Sequence, residues 1–257
     1  MKKYTKLWQC FFAIGFIAIA IQQLVCGNFR PVMLPLAFPA WLHARLICTW
    51  IFSLLLIIAC AAIIFDIKAR ETSLALGFIL LLMVICFHIP YELSIHQKEL
   101  GFWSDPFKCL TLSGGAFIVA GTFTKNNYAP AFIKFLEKFI PVGKYFLAIT
   151  MVVFGIDHFL YTGFVVTLVP SWIPGHLFWT YFAAVALILA GVAIIINIKR
   201  NMAAALLGLM IFIWFLILHI PRAIADPHRG NGNEWTSVFE ALAFSGIAFL
   251  IAVEKKR

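Results

Sequence analysis

Charge is what this chain has least of. Only 12% of its 257 residues are Asp, Glu, Lys or Arg, against 63% hydrophobic, far from the balance of a soluble domain. Basic residues outnumber acidic ones, 20 to 11, but no Lys/Arg-rich stripe with interleaved aromatics occurs, which excludes nucleic acid as a partner. There is no C-x-x-C, C-x-x-C-H or H-E-x-x-H spacing, so the usual zinc and c-type haem sites are absent and no metal centre is expected. Without a strained G-x-S-x-G turn, Ser/His/Asp hydrolysis has no support either. Cysteine stops at Cys109: all six (Cys10, Cys26, Cys48, Cys60, Cys86 and Cys109) lie in the first half. They read either as small apolar packing residues or, for Cys26, Cys48, Cys86 and Cys109 in the outer half of a bundle, as partners for pairing in an oxidising compartment.

Long apolar runs are what the chain has instead. Several reach the ~20 residues a helix needs to cross ~30 Å of hydrocarbon, and in lipid such runs must be helical to pair their own backbone groups. The expected fold is all-α and polytopic. Eight transmembrane helices are predicted at about 7–26, 41–65, 73–90, 105–123, 145–165, 175–197, 202–220 and 236–253. Met1-Lys2-Lys3 before an apolar run resembles a signal peptide, yet the repeat described next makes that run the first helix of a unit, retained in the protein.

The chain repeats itself. His88-Ile89-Pro90 recurs as His219-Ile220-Pro221, 131 positions later. The same offset maps Pro39-Ala40-Trp41 onto Pro170-Ser171-Trp172, and Asp66-Ile67-Lys68 onto Asn197-Ile198-Lys199. With one residue inserted, Ser113-Gly114 falls on Ser245-Gly246. The expected organisation is a first four-helix unit over 1–123, a linker over 124–144 with an interfacial helix at Pro130–Phe139, and a second unit over 145–257. Fourteen Lys and Arg residues fall at the termini and at the turns after helices 2, 4 and 6, and six on the other side. Both termini are therefore expected in the cytoplasm, of a bacterial inner membrane, with the bilayer itself as partner.

Ionisable groups inside apolar helices are functional candidates. Asp157 and His158 in helix 5, His176 opening helix 6, His219 and Arg222 ending helix 7, and Glu240 opening helix 8 are all placed toward the outer face. There they are expected to form one polar layer, flanked by Trp172, Trp179 and Trp235. In the first unit Gln22-Gln23, Arg45, Tyr91 and Lys108 replace them, and only His88 matches His219. Each has a plainer reading. A histidine before proline can bond free carbonyls at a helix end, Asp157 can pair with Arg222, and Glu240 and Lys108 can snorkel to the rim. His158, His176 and His219 could supply two imidazoles to a haem iron, but no spacing supports haem.

These features together resemble the DoxX family of small four-helix membrane proteins, here doubled in one chain. Carrying the resemblance are Gly155-Ile156-Asp157-His158-Phe159, Pro170-Ser171-Trp172, Ala190-Gly191, Lys199-Arg200, His219-Ile220-Pro221 and Asn233-Glu234-Trp235. The first half matches through Pro39-Ala40-Trp41, Asp66 to Arg70, His88-Ile89-Pro90 and Ser113-Gly114-Gly115. The family's second-helix glutamate is missing from both units. The resemblance implies the membrane component of a redox system, linked to quinone and a redox partner protein, and at most a membrane subunit of an oxidoreductase. His219, Asp157 and His158 would then handle protons, while His88, His176, Arg222, Glu240, Trp172 and Trp235 would line the ligand. The alternative is a non-enzymatic scaffold or a protein that binds a small molecule or lipid.

Overall fold

The computed structural model describes residues 2–35 and 44–254. Pro39-Ala40-Trp41 of the repeat, and Lys255, Lys256 and Arg257 of the charge count, lie outside the described residues. Every regular element among those described is a helix. The spanning helices are α1 Lys2–Cys26, α2 Arg45–Ile64, α3 Ala69–Ile95, α4 Ser104–Gly121, α5 Gly143–Leu160, α6 His176–Ile195, α7 Arg200–Ala225 and α8 Asn233–Val253. Six of these and α5 together with its preceding linker helix, seven spans among the described residues, are long and apolar enough to cross a membrane. The remaining helix, α4, is as long as α5 but carries Asp105, Lys108, Thr111 and Ser113. It can do so because most of it is buried by its neighbours. Lipid-facing positions elsewhere show the opposite pattern: Ile58 and Leu189 are 64% and 63% exposed, which only an apolar surround makes favourable.

The helices form a ring. Each packs on the next, α8 closes on α1, and α4 and α8 also meet each other inside it. Equivalent contacts recur by the repeat. A Cβ on Gly246 of α8 would meet the Trp8 carbonyl of α1 at 2.8 Å, and one on Gly114 of α4 would meet the Gly143 carbonyl of α5. Small residues at these places let helix backbones approach closely. Because α1 packs on α8 as well as on α2, and α5 on α4 as well as on α6, the two units close through each other rather than each on itself.

Local backbone repeats too. The α2–α3 turn puts Asp66 and Lys68 at φ 60° and 45°, and the α6–α7 turn puts Asn197 and Lys199 at 58° and 45°. Both α3 and α7 contain one π-helical turn, Val84–His88 and Phe215–His219, before Pro90 and Pro221. Neither helix ends at its His-Ile-Pro as the sequence suggests; they continue to Ile95 and Ala225. A proline ring collides with the carbonyl four residues back in a regular helix, and widening that turn lets the chain pass through. The linker helix is present at Ala131–Leu136, followed by a 3-10 turn at Glu137–Phe139. It is pinned by Arg70, which donates to Glu137 Oε1 at 2.9 Å and to the Ala120 and Phe123 carbonyls at the end of α4.

Candidate functional site

At the end of the bundle away from the termini, α5, α6, α7 and α8 do not fill the space between them. They leave a cavity of about 570 Å3, bordered also by the start of α4 and within the range of small-molecule sites. Toward the middle of the helices its walls are apolar, with Met151, Ala183, Leu187, Met210 and Phe244. Trp179 and Trp214 meet edge-to-face across α6 and α7 in the same wall. Toward the loops the lining gains polar residues, Asp105, Lys108, His158, His219, Arg222, Glu234 and Glu240, beside the apolar Phe102, Phe164, Val165, Leu168 and Val169.

Most of those charges satisfy one another. Lys108 Nζ lies 3.2 Å from Asp105 Oδ1 and 3.3 Å from Glu240 Oε2. Lys108 and Glu240 are matching positions of the repeat, so α4 and α8 present equivalent residues to each other, as surfaces around a twofold axis do. Neither snorkels to the rim. Glu240 stands two turns inside α8, which starts at Asn233 rather than near 236, and is buried. Leaving water is tolerable for the pair only because each charge finds the other. Arg222 is claimed by Glu234, not by Asp157: Nε donates to Oε2 at 3.1 Å and Nη2 to Oε1 at 2.6 Å, a two-pronged geometry specific to guanidinium.

Two imidazoles are left for the cavity. His158 Nδ1 lies 2.7 Å from the Phe154 carbonyl. A carbonyl can only accept, so Nδ1 carries the hydrogen and Nε2 keeps its lone pair. His219 makes no hydrogen bond among the described residues, though Arg222, Lys108 and Glu234 lie close enough for their charges to act on it.

The predicted polar layer is thus partly assembled. His158, His219, Arg222 and Glu240 meet in the cavity; Asp157, His176, Trp172, Trp235 and His88 do not line it. Asp157 shares the α5 face of Gly143 and Thr150, fourteen and seven residues away, and Thr150 Oγ1 donates to the Phe107 carbonyl of α4 at 3.0 Å. The 100° between neighbouring helix positions turns Asp157 toward α4 while His158 looks into the cavity. Its carboxylate is buried with Oδ1 unpartnered. His176 sits in the first turn of α6, where its carbonyl accepts from Thr180 Oγ1 at 2.9 Å. Trp172 is 66% exposed, and Trp235 stacks on Phe239. Asp105 and Trp214 went unpredicted, and Glu234 was singled out only by resemblance. The available signal for Asp105 and Glu234 was a carboxylate in the first turn of a helix, a placement the helix dipole favours.

In the first unit the equivalent space is occupied by the chain itself. The α1–α2 loop turns inward, burying Phe29, Arg30, Val32, Met33 and Leu34. Three of its neighbours stand at positions equivalent to cavity-lining residues. The Phe29 ring is 5.6 Å from that of Phe52, the counterpart of Ala183. Gln23, the counterpart of His158, accepts the Arg30 backbone N–H at Oε1, 3.1 Å away. His88, the counterpart of His219, meets the Val32 and Met33 backbone. The Arg30 side chain then crosses to the start of α8, donating to Thr236 Oγ1 and to the Asn231 carbonyl, both at 2.9 Å. Burial pulls the Arg30 pKa below its ordinary value, opposed by Cys26, Glu240 and Asp105. All six cysteines are free thiols, Cys60 and Cys109 being buried.

Fold and site define a multi-pass, all-α membrane protein with a small-molecule-sized cavity in one half. Residues 147–252 match a family described only as a domain of unknown function, DUF8561. The match covers less than half of the chain and runs from within α5 to the last turn of α8, the four helices around the cavity. No curated protein and no solved structure matches the chain.

Proposed function

We propose that the chain is a DoxX-like protein of two tandem four-helix units, 1–123 and 145–257. In this reading the second unit binds an amphipathic small molecule of quinone or lipid type, as the membrane component of a redox system with a partner protein. The cavity carries the proposal: His158 Nε2 and the His219 ring face an apolar-walled space without a partner among the described residues, while the charged groups in the lining are paired with one another. Unpaired polar groups beside apolar walls are the usual make-up of a small-molecule site. The reduced form of a quinone fits this lining, with one ring hydroxyl donating to His158 Nε2, the other oxygen at His219, and its ring and tail against Met151, Leu187 and Phe244. It would bring two-electron, two-proton chemistry, for which the His158 Nε2 lone pair is a proton acceptor. In this reading the protein belongs to a bacterial inner membrane, and the Lys/Arg excess supports cytoplasmic termini with the cavity toward the outer leaflet.

The scaffold reading describes the first unit well, since its polar groups are consumed in packing. It gives no reason for the hollow in the second, because a cavity forfeits contacts that filling would supply. The test is solvent extraction of protein purified in mild detergent, beside an Ala183→Phe variant that places in the cavity the ring the first unit has as Phe52. A quinone or lipid is expected at near-equal molar amount from the native protein and depleted from the variant. Equal recoveries from both would remove the proposal.

A further inference from the structure

The filled unit shows what kind of occupant the hollow one accepts. In the first unit Gln23 Nε2 donates to Ser53 Oγ at 3.0 Å, which fixes the amide so that Oε1 accepts the Arg30 N–H of the inserted loop. At the equivalent position of the second unit, His158 commits Nδ1–H to the Phe154 carbonyl. Its Nε2 therefore also offers the cavity a lone pair. Both walls, through different side chains and different internal bonds, present an acceptor at the same place. Both call for a donor from whatever lies against them.

We infer that the cavity selects ligands carrying a hydroxyl or N–H donor for His158 Nε2, and so takes a phenolic or hydroquinone-type amphiphile in preference to its oxygen-alkylated or quinone counterpart. This rests on the small-molecule reading of the cavity and narrows it to a ligand class. A molecule offering only acceptors would leave Nε2 facing another lone pair, with its own solvation lost and nothing gained. His219 makes no hydrogen bond among the described residues and can meet a donor or an acceptor at the other pole.

The probes are para-nonylphenol and para-nonylanisole, which differ by one methyl in place of the donated hydrogen. Binding is read from the fluorescence of Trp179 and Trp214, which line the cavity, in protein held in lipid nanodiscs. The Ala183→Phe variant gives the background from membrane partitioning. The phenol is expected to bind about fivefold tighter, the effect of roughly one net hydrogen bond. His158→Leu should erase the difference, and His158→Gln, which copies Gln23, should keep it. Equal affinities in the native protein overturn the donor requirement and leave the small-molecule reading standing. If neither probe binds above the Ala183→Phe background, that reading falls and this inference with it.

Discussion

Val32, Met33 and Leu34 lie packed inside the first unit, whereas the second leaves a cavity among the equivalent helices. The loop between α5 and α6 borders the cavity through Phe164, Val165, Leu168 and Val169 rather than filling it, and leaves Trp172 exposed. The turns, the π-helical segments and the helix contacts repeat between units, so the difference does not come from the scaffold. It comes from one connecting loop and from the residues that receive it. Where the loop enters, its backbone satisfies Gln23 and its apolar side chains join the core; where none enters, His158 and His219 remain available. One copy of a fold thus shows what the other is missing.

The comparison can be broken most severely at the contact the units share. Lys108→Met strands the buried Glu240 carboxylate and should cost about 4 kcal/mol in reversible unfolding from mixed micelles, while Lys108→Met with Glu240→Met should recover most of it. Next comes the plug. Met33→Ala removes a fully buried side chain and should cost about 3 kcal/mol, at the same time opening a ligand-accessible space in the first unit. The matched histidines should then diverge: His88→Leu is expected to lose about 1–2 kcal/mol because His88 is buried against the plug and a differently shaped side chain disturbs that packing. His219→Leu should change stability by less than about 0.5 kcal/mol while abolishing ligand retention. Smallest of all is Trp172→Ala, a change on an exposed loop, which should alter unfolding by less than about 0.5 kcal/mol and leave the extracted ligand in place.

The bundle was legible because lipid leaves few choices: apolar runs of sufficient length must be helices, and the 131-residue offset assigned them to equivalent roles. Only α4 strays from that logic, since enclosure freed it from the need to face lipid. The plug was not legible. Gly27 to Pro35 reads as a proline-bearing outer connection, and Arg30 as a charge to count on one side of the membrane; that it turns inward depends on Thr236 and Asn231, some 200 residues away. Lys108 and Glu240 were aligned with each other but read as rim charges. Matching positions beside a twofold axis meet, and once the duplication is granted that pairing follows. Asp157 falls outside the cavity lining for a different reason: adjacent helical residues diverge by about 100°, and nothing local says which of Asp157 and His158 turns inward.

The π turn at Phe215–His219 makes the position of the candidate site a matter of residue count as much as of residue type. It holds one more residue than a regular turn would. Deleting a single lipid-facing member such as Leu216 would tighten the turn and swing everything beyond it by about 100°. Arg222 would come off Glu234 and His219 would leave its place in the lining, although every side chain that contacts the cavity would still be present. A catalogue of side chains alone would miss such a lesion, since the information sits in the spacing of the backbone.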